Sequence, residues 1–150
     1  MSAKIIYEDM LYGQVSIKEP VILSLLESSA LQRLKGIDQS GYAPLHPQRK
    51  TVNRFNHSVG VYLLLKRYGA SLTEQIMGLI HDVSHGCFSH CLDYVLLDDE
   101  LEKNQGLQDS LSDSFIRNSK IEKIIQECGF DLDCILDKTR SLLLERDLPS

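Results

Sequence analysis

The sequence predicts a mainly α-helical single domain with a short N-terminal β-hairpin or extended arm. Three observations predict it. Apolar residues recur at helical spacing in most segments from Pro20 onward, helix-capping residues stand ahead of several of those segments, and apolar–polar alternation is confined to residues 4–17, around Gly13. The 150 residues suit one domain with its own core. The expected division is an arm at 1–19 and a helical core at 20–150, all within one domain spanning 1–150.

Each element follows from its local chemistry. "EPVILSLLES" starts the helical pattern: Pro20 fits a first turn, and Val21, Leu25 and Leu26 share a face. "SALQRLKGI" continues it as a short second helix with Leu31 and Leu34 inward and Gly36 near its end. Residues 40–53 carry Gly41, Pro44 and Pro47 and read as a loop; with Arg49, Lys50 and the adjoining Arg54 this is the most basic part of the chain. The long helix "NHSVGVYLLLKRYGA" follows, with Asn56 as its expected N-cap and Gly69 as its stop. Ser71 and Glu74 form a capping box ahead of "QIMGLIHDV", which is apolar on most sides and so expected in the middle of the domain. Gly86 allows a sharp turn, and "FSHCLDYVLL" starts another helix. After the polar stretch 98–107, helices return at "QDSLSDSFIRN" and at "SKIEKIIQEC", with Ser119 and Glu122 as a second capping box and Gly129 as a stop. "DLDCILD" is a last short turn before the chain stops mid-pattern. A core lacking its closing helices is expected to expose an apolar patch and to favour a homo-oligomer.

Composition narrows the function classes. A formal net charge of −5 argues against an extended nucleic-acid-binding face, which needs a basic excess, but leaves room for a local phosphate site. The N-terminus has no signal-peptide apolar core and no run approaches a membrane span, so a cytoplasmic protein without a membrane partner is expected. Cys87, Cys91, Cys128 and Cys134 show no C-x-x-C spacing and read as thiols, with Cys87 and Cys91 as small buried residues.

The chemistry concentrates in "HDVSHGCFSH", residues 81–90, which holds three of the five histidines. Several imidazoles and a carboxylate at one helix end are costly to bury without a shared partner, and a metal ion accepts both ligand types. His81 and Asp82, at about 100° to each other on a helix, can meet one ion placed off its end. His57 lies in the first turn of the preceding helix. A short connection makes the two helices an antiparallel hairpin, which brings His57 to the His81–Asp82 pair. A competing pattern is the i, i+4 spacing of His81 and His85, as in H-E-x-x-H metalloproteases, with aspartate in the glutamate position.

"NRFNHSVGVYLLL" followed by "GLIHDVSHGCFSHCLDYV" resembles the HD-domain metal-dependent phosphohydrolases, nearest the deoxynucleoside triphosphate triphosphohydrolase-like branch, from "LQRLKGIDQSGY" to the end of the chain. The resemblance implies an HD-domain helical bundle. It implies that His57, His81 and Asp82 are metal ligands, that Arg54 contacts substrate phosphate, and that His85 and His90 face the phosphate under attack. It also implies that Gln39 reads a sugar and that Asp93 pairs with a catalytic histidine. Three departures accompany it: a fourth ligand, a second aspartate, would lie beyond Ser150, so the chain looks C-terminally truncated; Gln108 falls where the histidine partner of Asp93 would stand; and Ser40 follows Gln39 where an apolar residue is usual.

The expected cofactor is a divalent transition metal (Mn, Fe, Zn, Co or Ni), with Mg less natural beside two imidazoles. The expected function is metal-dependent hydrolysis of a nucleotide (dNTP-like) or related phosphate ester. The alternatives are a nucleotide-binding or regulatory HD module without turnover, and a structural helical fragment with unligated histidines.

Overall fold

A computed structural model describes residues 4–40, 51–87, 107–137 and 139, with only the backbone course described at 107–110. The expected helix at "FSHCLDYVLL", the polar stretch 98–106 and most of the basic loop lie outside these residues.

Residues 4–17 form the hairpin. Strands β1 (Ile5–Asp9) and β2 (Gly13–Ile17) pair antiparallel, with Ile5 opposite Ile17 and Tyr7 opposite Val15. The period of two turns Ile5, Tyr7, Val15 and Ile17 toward the core. The turn between the strands is built by Asp9, whose Oδ1 accepts from the Leu11 and Tyr12 amides at 2.8 and 3.0 Å, and by Gly13 at φ +67.

Helix α1 (Pro20–Glu27) has proline in its first turn, as expected, and buries Val21, Ile22, Leu23, Leu25 and Leu26. Glu19, just before it, reaches α3 (Arg54–Arg67), where Lys66 Nζ donates to its two carboxylate oxygens at 2.8 and 3.1 Å and the Tyr62 hydroxyl donates at 3.2 Å. Burial pushes the Glu19 carboxyl up. The bonds from Lys66 and from backbone amides outweigh it and hold the group at about 2. Ser28 caps α2 (Ser29–Gln32), which tightens into a 3-10 turn at Arg33–Gly36, with Leu31 and Leu34 inward.

The two ends of the 41–50 segment are clipped together. Asp38 bridges Asn53, the Gln39 amide donates to Val52 O and the Arg54 amide to Ile37 O, both at 2.8 Å. This pairing keeps Asn53 extended, so the N-cap of α3 is Asn53, not Asn56. Its side chain accepts from the Asn56 amide at 2.8 Å. Arg54 thereby becomes the first helical residue rather than a loop charge.

Gly69, at φ +73, ends α3, and the Ser71–Glu74 capping box opens α4 (Leu72–Ile80). The two helices pack closely. Gly78 makes this possible, because a Cβ there would overlap Leu65 Cδ1 and lie 3.1 Å from Val61 Cγ1. Gly78→Val is expected to cost about 1–3 kcal/mol through overpacking, read as a lower urea midpoint at unchanged m-value.

The remaining helices are α5 (Leu107–Arg117), α6 (Lys120–Glu127) and α7 (Leu132–Leu136). Helix α6 packs on α1, α2 and α5, and α7 on α4. Ser119 caps α6 through the Ile121 amide at 3.2 Å, while the Glu122 carboxylate lies 3.9 Å from Arg117 Nη1; the expected reciprocal box gives way to that ion pair. The core is continuous, with Ile22, Leu25, Leu34, Ile76, Leu79 and Ile121 fully buried. No described helix is long and apolar enough to cross a membrane.

Candidate metal centre

The helical hairpin of α3 and α4 brings the predicted ligands together. The nitrogens of His57 and His81 and a carboxylate oxygen of Asp82 all lie within 4.8 Å of one another. His81 Nε2 is 3.4 Å from Asp82 Oδ1, His57 Nε2 is 3.7 Å from Asp82 Oδ2, and the two imidazole centroids are 5.2 Å apart at 60°. Ligands about 2.1 Å from one ion are roughly 3–3.5 Å apart, so this spacing needs only small side-chain adjustments to close on a cation.

Donor chemistry makes the stronger case. His81 Nδ1 lies 2.8 Å from Gly78 O, at the C-terminal end of α4 where carbonyls lack helical partners. A carbonyl only accepts, so Nδ1 carries the hydrogen and neutral His81 presents a bare lone pair at Nε2 toward the Asp82 carboxylate. Two acceptors facing each other need a cation or a proton between them. The carbonyl behind the ring is also the arrangement that orients metal-bound histidines. Burial, the neighbouring His81 and Arg54 lower the His57 pKa despite Asp82, which favours its neutral, ligating form. For Asp82, burial acts upward but is outweighed by His81, His85, Arg54 and His57, so the carboxyl stays below its usual range and ionised.

Arg54 is the surprise of the site. It is buried, at 2% exposure, and its Nη1 donates to Asp82 Oδ2 at 2.7 Å. Starting α3 at Arg54 points its guanidinium into the domain, toward the turn that follows α4. His85 is also buried, with Nδ1 3.6 Å from Asp82 Oδ1. The chain leaves the helix after Ile80, so His81 and His85 do not share a helical face as the protease pattern requires. His85 stands outside the three-residue cluster. Gln39 lines the same cleft as His57, with its buried carboxamide oxygen lacking a hydrogen-bond partner among the described residues. His90 and Asp93 lie outside the described residues, as does the side chain of Gln108. Cys87, expected to be buried, is exposed.

The sequence reading overlooked Arg33. Its Nη2 donates to Val83 O at 2.6 Å and its guanidinium stacks 4.9 Å from the Phe115 ring centroid. It pins the turn that carries Asp82 and His85. An arginine inside the apolar "LQRLKGI" was the available signal, since a cation there needs a buried acceptor.

No protein-family model matches the chain. Among curated proteins it is 39% identical to the uncharacterized protein YdhJ of Bacillus subtilis (strain 168), over 94% of this chain and 42% of that protein. It is 42% identical to the metal-dependent phosphohydrolase cns2 of Cordyceps militaris, over 61% of this chain and 27% of the other. It is 32% identical to the deoxynucleoside triphosphate triphosphohydrolase SAMHD1 of Danio rerio, over 59% of this chain and 16% of the other. The crystal structure of a phosphohydrolase from Bacteroides thetaiotaomicron superposes with a TM-score of 0.65 at 23% identity, over 89% of this chain and 34% of that one, which shows the shared fold. The chain thus spans less than half the length of each of these relatives.

The helical fold with its small hairpin is shared with the phosphohydrolase from Bacteroides thetaiotaomicron, and it carries a His-His-Asp cluster compatible with a metal site. The chain is thus similar to proteins named metal-dependent phosphohydrolase and deoxynucleoside triphosphate triphosphohydrolase, in line with the resemblance of its His57 and His81–Asp82 segments to the HD-domain phosphohydrolases.

Proposed function

We propose that this chain carries the catalytic centre of a divalent-metal-dependent phosphohydrolase acting on a nucleotide or a related phosphate ester. The convergence of His57 Nε2, His81 Nε2 and the Asp82 carboxylate supports this most directly. A bound ion would polarise a phosphoryl oxygen and acidify a water molecule. His57, His81 and Asp82 would hold it, and their mixed nitrogen–oxygen set suits Mn, Fe, Zn, Co or Ni better than Mg. Arg54 holds Asp82 in place and puts a permanent positive charge next to the substrate phosphate. His85 serves as a hydrogen-bond donor to the phosphate, a role shared by His90, with Asp93 orienting one of the two imidazoles. Gln39 reads a hydroxyl of the sugar. The nucleotide preference leans on the likeness to the triphosphohydrolase from Danio rerio.

The deciding experiment is a phosphate-release screen over nucleotides and simple phosphate esters with Mn²⁺ or Co²⁺ added. Metal-dependent release that a chelator abolishes is the expected result. Nucleotide binding without turnover would replace the enzyme reading with a regulatory HD module.

A further inference from the structure

A cleft of about 570 Å³ lies between the β-hairpin and α3, and His57 of the three-residue cluster lines it. Its walls include Tyr7, Met10 and Tyr12 from the hairpin and Gly60, Val61 and Leu64 from α3, and His57 and Gln39 also line it. The volume is that of a pocket for a small organic molecule. The lining is mostly apolar, with polar groups from the hairpin (Glu8, Asp9) and beside His57 (Gln39, Asn56), which is the usual make-up of such sites.

The floor shows why the cleft exists. His57, Gly60 and Leu64 follow at helical spacing along one face of α3. A Cβ built at Gly60 meets no atom within 4 Å, so the glycine leaves bare helix backbone facing open space. This differs from Gly78, where the absence of a side chain lets two helices touch. The hairpin is held over the floor by the Tyr7 hydroxyl, which donates to Asn56 Oδ1 at 3.0 Å. Asn56 immediately precedes His57, so the strut stands beside the metal cluster.

The geometry points to this cleft as the seat of the substrate's organic group: a flat, uncharged ring system of nucleoside size, lying under the hairpin against Gly60 while its phosphate reaches His57, His81 and Asp82. Tyr7, Tyr12 and Met10 offer faces that suit a flat ring. Gly60 sets the depth of the cleft and is thus a specificity-determining position. The assignment rests on the phosphohydrolase reading, because it treats the His57 end as the phosphate end.

The test compares wild type with Gly60→Phe, using dGTP and inorganic tripolyphosphate, which share a phosphate chain and differ in the organic group. Equilibrium dialysis with Mn²⁺ present gives the affinity for each without requiring turnover. Gly60→Ala, which fits the open space and improves helix propensity, controls for folding together with a thermal melt. Wild type is expected to prefer dGTP, and Gly60→Phe to reduce that preference by about tenfold or more, equivalent to about 1.4 kcal/mol. An unchanged preference in a folded Gly60→Phe protein, or a wild type that binds both ligands equally, overturns the assignment. Phosphate release is scored separately. Its failure in wild type overturns the phosphohydrolase reading, while dialysis still decides where the ring sits.

Discussion

Asp82→Asn is expected to reduce metal affinity by about a hundredfold or more, since even groups behind metal ligands are worth about 10–100-fold. The substitution is nearly isosteric and leaves an oxygen to accept from Arg54 Nη1, which keeps the hydrogen bond but not the charge pairing. The anionic charge between the two histidines is lost, and with it the charge partner of buried Arg54, so a melt of the metal-free variant accompanies the titration. Titration calorimetry with Mn²⁺, Co²⁺ or Zn²⁺ measures the affinity directly. A parallel readout is thermal stability: an ion at a hundred times its Kd stabilises wild type by about 2.7 kcal/mol, and Asp82→Asn should show almost none of that gain. His85→Ala is the comparison variant. It should retain most of the metal affinity, because the cluster of described residues spaced to hold an ion does not include it. The opposite ranking, with His85 essential and Asp82 dispensable, would restore the protease-like pattern and reject the centre described above.

Arg54→Met should destabilise the metal-free protein by about 3 kcal/mol, since removing one member of a buried ion pair strands the other charge. Asp82 is buried and keeps only imidazoles as its remaining described partners of positive potential. A bound cation would supply the missing charge. Metal should therefore stabilise Arg54→Met by more than it stabilises wild type. Urea unfolding with and without Mn²⁺ separates the two contributions. A loss below about 1 kcal/mol in the metal-free state would show that the guanidinium does not support Asp82. Lysine is a poor substitute, because its point charge lacks the planar fork that meets a carboxylate.

The local elements were legible because their signals are local. Pro20, the Ser71–Glu74 box and Gly69 mark helix ends through bonds made within a few residues. The misreadings involve competition from partners outside the helix being read. Asn53 displaced Asn56 as the cap of α3 because pairing with Asp38 keeps it extended, and Arg117 draws Glu122 away from a box with Ser119. Arg33 escaped notice because its acceptor, Val83 O, is fifty positions away in sequence.

What the sequence determined by itself was the meeting of three candidate ligands, His57, His81 and Asp82. A short connection between two helices forces the start of one beside the end of the other, so His57 had to face His81 and Asp82. Only the tertiary structure decided how that centre is held and what surrounds it. Arg54 turns inward to Asp82, Arg33 pins the following turn, and the hairpin covers α3 to leave a cleft over Gly60. These follow from which surfaces must be buried together and which charges need partners there, and both are properties of the packed chain, not of any segment.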